Sequence, residues 1–175
     1  MNSHRMHQKA FLDLIEPLKP ALFGFAFRML RNREDAKDAM QELLMKLWNN
    51  RKKLETNGNI KTYCFTALYH DCIDRLRRRS RMHNAGNTDL VEIADNTRID
   101  LDCENSDLIR QIRLAMDELP YKQKVIMELR DFQGFEYEEI ARMMEMTVNA
   151  VRVTVARSRA TISEKMKEEI GYGTV

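Results

Sequence analysis

The sequence predicts an all-α protein built as two small helical domains joined by an acidic flexible linker, the second domain containing a helix-turn-helix. Three observations carry this. Only six Gly and three Pro occur in 175 residues, against 32% charged residues, a composition of helices rather than of strands and tight turns. Apolar residues recur at three- and four-residue spacing in two blocks, the signature of helices with one buried face. Charge is segregated: the net +2 hides RLRRRSR at 75–81, five arginines in seven residues, followed by an acidic stretch in which Asp89, Glu92, Asp95, Asp100, Asp102 and Glu104 face Arg98.

Composition also limits the function. With 43% hydrophobic residues the chain can bury one core or two small ones. The first seventeen residues have no long apolar run, and uncharged runs such as 20–27 are far too short to span a bilayer, so a cytoplasmic protein without membrane insertion is expected. Cys64, Cys72 and Cys103 are odd in number and lack paired ligand spacing, which favours free thiols in a reducing compartment. His4 and His7 share a helical spacing at a frayed terminus and make a poor metal site. There is no phosphate-cradling glycine loop, metal cluster or nucleophile constellation, so neither a cofactor nor a small-molecule substrate is expected, and the protein does not read as an enzyme.

The first domain is expected over residues 1–82. Phe11, Leu14, Ile15 and Leu18 mark a short amphipathic helix, and Pro20 suits the first turn of the next, which runs to about residue 30. Residues 33–53 read as a third helix with Ala36, Met40, Leu43 and Leu47 on one face and Leu44 and Trp48 beside them. Asp35, Asp38, Gln41 and Glu42 lie outside that stripe and form an acidic face. After the turn-like TNGN at 56–59, a fourth helix runs from about residue 60 to 79. Its inward set is Phe65, Leu68, Tyr69, Cys72 and Leu76, and its outward column is Tyr63, Thr66, His70 and Arg77, with Arg78 following. Aromatic, hydroxyl, imidazole and guanidinium groups in one line suit a single strand, because exposed bases stack on rings and phosphates bind arginine. The arginine run reads as an electrostatic footprint for nucleic acid.

Residues 83–105 lack sustained periodicity and read as the linker. The second domain, 106–175, should hold four helices over about 106–119, 121–132, 137–144 and 148–169, with Pro120 ending one and beginning the next. Within VRVTVARSR the valines alternate as in a strand. On a helix, however, Val148, Val151, Val155, Ser158 and Ile162 share one stripe, and a strand stops making sense at Ala156 to Arg159. The preceding helix buries Ile140, Ala141 and Met144, so the pair is a candidate helix-turn-helix. The second helix of such a pair enters the major groove, which puts Asn149, Val153 and Arg157 toward the bases, flanked by Arg152 and Arg159. An exposed β-branched Val153 has little local reason to be there, and contact with a thymine methyl supplies one.

The wording around this window is more specific than the motif. DELPYKQKVIMELRDFQGFEYEEIARMMEMTVNAVRVTVARSRATI, 117–162, resembles the fourth region of bacterial sigma factors, with LP, KQ, an apolar helix, G, EIA and a recognition helix in order. REDAKDAMQELLMKLWNN, 33–50, and IKTYCFTALYHDCIDRLRRRSR, 60–81, resemble the second region. A chain with only these two regions is similar to sigma factors of the extracytoplasmic-function (ECF) type. The resemblance implies that the acidic face of Asp35, Asp38, Gln41 and Glu42 docks on core RNA polymerase. It implies that Tyr63, Thr66, His70, Arg77 and Arg78 meet unpaired minus-ten DNA, and that Asn149, Arg152, Val153, Arg157 and Arg159 meet minus-thirty-five promoter duplex. It also implies a flipped base held near Glu55, Thr56 or Asn57, and an anti-sigma factor as a further partner.

The chain departs from the family pattern at His70 (usually Asn), Glu145 (Gly), Glu136 (Ser) and Thr154 (often basic). The competing expectation is a stand-alone helix-turn-helix regulator that binds operator DNA as a dimer.

Overall fold

The computed structural model describes residues 8–54, 59–83 and 107–171. They belong to two compact bodies, and every regular element in them is helical. The linker expected at 83–105 and the loop residues Glu55, Thr56 and Asn57 lie outside the described residues, apart from the helix end at residue 83.

The first body contains α1 (Gln8–Ile15), a 3-10 turn (Glu16–Leu18), α2 (Lys19–Leu30), α3 (Arg33–Asn49), the single turn α4 (Arg51–Leu54) and α5 (Ile60–His83). Helices α2, α3 and α5 pack against one another in pairs. Their shared core is Leu22, Phe25, Ala26, Met29 and Leu30 from α2, Ala36, Ala39, Leu43 and Leu47 from α3, and Cys64, Phe65, Leu68, Cys72 and Leu76 from α5. Phe25 and Phe65 meet edge to face at 5.3 Å. Each large apolar side chain fully buried here contributes about 1.5–3 kcal/mol. In α1, Phe11 and Ile15 are buried, whereas Leu14, expected on the same face, is exposed.

Asparagines set the boundaries. Asn32 caps α3, its Oδ1 accepting from the N–H groups of Glu34 (2.9 Å) and Asp35 (3.0 Å). Asn59 does the same for α5 by accepting from the Thr62 N–H at 3.1 Å. The single helix expected over 33–53 instead breaks at Asn50. There Asn50 Nδ2 donates to the Lys46 carbonyl at 2.9 Å and Arg51 Nη1 to that of Trp48 at 2.9 Å, so side chains join the Asn50 N–H in satisfying the last carbonyls of the helix. The fourth helix runs past residue 79 to His83.

The second body contains α6 (Asp107–Asp117), α7 (Tyr121–Met127), α8 (Tyr137–Met143) and α9 (Val148–Gly171). Helix α9 packs on α6, α7 and α8 through Val151, Val155, Ser158 and Ile162, all buried, while Val148, the first member of the predicted stripe, is half-buried. The Ser158 hydroxyl donates to Gln123 Oε1 at 3.3 Å, which satisfies a polar group within that stripe.

The α-helix expected over 121–132 changes character at Glu128, where a π-helical turn spans Glu128–Phe132. The Gln133 N–H donates to the Glu128 carbonyl five residues back, at 3.0 Å. Glu128, at the start of the wide turn, is 4% exposed, and its carboxylate accepts from Arg113 Nη1 of α6 (2.8 Å) and Gln133 Nε2 (2.9 Å). Gly134 follows at φ +72°, in the left-handed region that glycine adopts without steric cost.

Candidate nucleic-acid interface

Helices α8 and α9 are joined by a tight turn. The Met146 N–H donates to the Ala141 carbonyl (2.8 Å) and the Glu145 N–H to that of Arg142 (3.4 Å), closing α8 with a Schellman motif. Glu145 occupies the left-handed position of that motif at φ +53°, where glycine is the usual residue. Thr147 Oγ1 then accepts from the Ala150 N–H at 3.2 Å and caps α9. At the other end of α8, Glu136 forms a reciprocal capping box with Glu139, its own N–H donating to Glu139 Oε2 at 3.0 Å. Arg130 ties this corner down by donating to the Phe135 carbonyl (2.7 Å) and Glu136 (3.0 Å).

With Val151, Val155, Ser158 and Ile162 inward, the opposite side of α9 presents Asn149, Val153 and Arg157 to solvent. Val153 is 40% exposed. The flanking arginines differ. Arg152 Nη2 lies 3.5 Å from Glu138, with its guanidinium 5.5 Å from the Tyr137 ring centroid. Arg159 gives one edge of its guanidinium to Asp131, Nε to Oδ2 at 3.2 Å and Nη2 to Oδ1 in a shorter contact. The hydrogen bond that Arg159 donates to Asp131, stronger than the opposing effect of burial, holds the Arg159 pKa above its ordinary value. Thr154 Oγ1 donates to the Ala150 carbonyl at 2.7 Å.

In the first body, His70, Arg77 and Arg78 are exposed on α5, while Tyr63 and Thr66 are half-buried. The Thr66 hydroxyl donates to the Thr62 carbonyl at 2.7 Å, so only its acceptor capacity faces outward. The sequence reading missed Asp74, which shares this side of α5 and lies 3.7 Å from Arg77 Nη1. The arginine run, expected to act as one footprint, is divided. Arg75 is turned inward, its Nε donating to Asp71 at 2.8 Å and its Nη2 meeting Glu42 at 2.7 Å, and Arg79 lies 3.9 Å from Asp35.

Asp71 was missed as well. It is 7% exposed and also faces Lys46 Nζ of α3 at 3.2 Å. Burial raises its pKa, but the hydrogen bonds and charges of Arg75 and Lys46 outweigh burial and leave the carboxyl below its ordinary value. The signal for it was an Asp and an Arg four residues apart beside the apolar stripe. On α3, Asp38, Gln41 and Glu42 are exposed and Asp35 is half-exposed. Met45, 65% exposed on the same side, is an apolar member of this face that periodicity alone had left unassigned.

Profile comparisons match sigma-70 region 2 to residues 14–82 and sigma-70 region 4 to residues 109–162, in that order along the chain. The RNA polymerase sigma factor SigV of Bacillus subtilis is 26% identical over 151 residues, 86% of this chain and 87% of that protein. The ECF RNA polymerase sigma factor SigX of the same organism is 22% identical over 165 residues, 91% of this chain and 85% of that one. The chain belongs to the ECF sigma factors. Among solved structures, the sigma factor RpoE of Bartonella quintana, in complex with the anti-sigma factor NepR, shares the fold with a TM-score of 0.69. That likeness covers 91% of this sigma factor and 98% of RpoE at 24% identity. The stand-alone operator-binding regulator is set aside, since both bodies of the sigma factor match sigma-70 regions. Among the described residues of this sigma factor, no helix is long and apolar enough to cross a membrane.

Proposed function

We propose that this ECF sigma factor divides its work between three surfaces. The α3 face of Asp35, Asp38, Gln41 and Glu42 docks on core RNA polymerase. The outward side of α5, through Tyr63, Thr66, His70, Arg77 and Arg78, takes unpaired minus-ten DNA. Helix α9 reads minus-thirty-five duplex through Asn149, Val153 and Arg157, with Arg152 at the groove edge. The domain limits are 1–82 and 106–175, with 83–105 as an acidic tether that joins them.

One observation carries this reading: the exposed line Asn149–Val153–Arg157 lies opposite the buried stripe of a capped helix-turn-helix, in the body that matches region 4. An α-helix presented in this way fits the major groove, with arginine suited to guanine, asparagine to adenine and valine to a thymine methyl. Both DNA-reading bodies gain effective concentration only when polymerase fixes their spacing, so the free protein binds promoters weakly. An anti-sigma factor is the expected inhibitory partner, as RpoE of Bartonella quintana has in its complex with NepR. The site of action is the cytoplasm.

The test is reconstitution with core RNA polymerase followed by mapping of the transcript starts on genomic DNA. A shared pair of upstream elements at minus ten and minus thirty-five is expected. Specific duplex binding by a dimer of the free protein, with no assembly on core polymerase, would overturn the reading.

A further inference from the structure

The flank of α9 that carries Arg159 is closed by an acidic counterpart from another element. Asp131 stands in the π-helical turn Glu128–Phe132, which the buried pair of Glu128 and Arg113 anchors to α6. From there its two oxygens take the Nε–Nη2 edge of the Arg159 guanidinium. A carboxylate held this way occupies one of the two edges by which a DNA phosphate could be bound, since guanidinium binds either anion bidentately. Carboxylate and phosphate therefore compete for one side chain.

We propose that Asp131 sets the DNA affinity and salt sensitivity of the second body by holding Arg159 away from the phosphate backbone. Duplex contact then rests on the Asn149–Val153–Arg157 line, and the flank contributes one phosphate contact fewer than its sequence offers. The proposal rests on the reading of α9 as the duplex-facing helix. It makes Asp131, which lies outside the helix-turn-helix, a positioning residue for DNA binding.

The full-length protein is titrated against a fluorescein-labelled random-sequence 30-mer duplex, about 30 base pairs being roughly three helical turns, at several salt concentrations. Asp131→Asn, with Asp131→Ser as a second variant, should tighten binding roughly three- to tenfold and steepen the log–log salt slope by about 0.9, the increment for one added phosphate contact. Adding Arg159→Ala to either variant should abolish the extra slope. Glu164→Gln removes the same charge from an exposed position elsewhere on α9 and should not reproduce the steepening. Circular dichroism confirms that each variant is folded at the assay temperature.

An unchanged slope in both Asp131 variants, a gain that survives Arg159→Ala, or an equal gain from Glu164→Gln overturns the proposal. Arg157→Ala separates this failure from that of the underlying reading. If it weakens binding while the Asp131 variants do nothing, α9 still faces DNA and only the Asp131 proposal falls. If Arg157→Ala also leaves binding unchanged, both fall.

Discussion

Asp71 Oδ2 accepts a 2.8 Å hydrogen bond from Arg75 Nε one turn further along α5, and through this pair the helix that carries the minus-ten candidates is fastened to the helix that carries the polymerase candidates. Arg75 continues the chain to Glu42, and Asp71 continues it to Lys46. Burial lowers the Arg75 pKa, but Asp71 and then Glu42 outweigh it and raise the value above the ordinary one. A carboxylate at the edge of the core thus fixes the register of two surfaces.

Asp71→Asn should destabilise the first body by about 2–3 kcal/mol, because Arg75 remains partly buried without its counter-charge. Urea unfolding followed by circular dichroism measures this. Since the folded Asp71 pKa is depressed, its contribution is present above the unfolded carboxylate value near 4 and is lost as pH falls through the folded value. The stability difference between wild type and Asp71→Asn should therefore be constant from pH 6 to 8 and shrink below about pH 4.

Glu145 holds a left-handed conformation that costs a non-glycine residue about 1 kcal/mol or more. Glu145→Gly should raise the stability of the second body by about 0.5–1 kcal/mol, after allowing for the greater chain entropy of glycine. Gly134→Ala is the converse: a Cβ there meets nothing within 4 Å, so its cost, about 1 kcal/mol, is conformational alone. Thermal melts of the two variants should move in opposite directions.

Asp38 and Gln41 are exposed on α3, whereas Glu42 and Asp35 are engaged by Arg75 and Arg79. Asp38→Arg should therefore reduce co-purification with core polymerase at least tenfold, about 1.4 kcal/mol, without loss of helicity. Met45→Glu, which puts a charge in the middle of the same face, should act in the same direction. Retained polymerase binding by both variants would place the docking surface elsewhere.

Arg157→Ala should weaken recognition of the minus-thirty-five duplex by roughly 1–3 kcal/mol if its fork pairs with a guanine edge, and should relax sequence preference at one base pair. Polymerase assembly should be unaffected. A competition assay with singly substituted duplexes on the reconstituted holoenzyme reads both quantities.

The apolar stripes were legible because periodicity is a property of the local chain: Val151, Val155, Ser158 and Ile162 proved buried together, as did Phe65, Leu68, Cys72 and Leu76. What was not legible depends on residues far apart in sequence. The π turn coincides with a buried carboxylate, Glu128, answered by Arg113 from another helix. The arginine run looked uniform until α3 supplied Glu42 and Asp35 to divide it. Of the candidate site residues, Asn149, Val153 and Arg157 stand on the exposed side of α9 as spacing required, while the engagement of Arg159 by Asp131 needed the second body to be folded first.

The thiols of Cys64 and Cys72 have a consequence for signalling. Both are buried in the core of the first body, and burial pushes each up to about 12. At neutral pH less than about one in ten thousand of either is thiolate, the form that attacks peroxide. These two thiols are therefore poor targets for peroxide, and an oxidative stimulus would not be read through them.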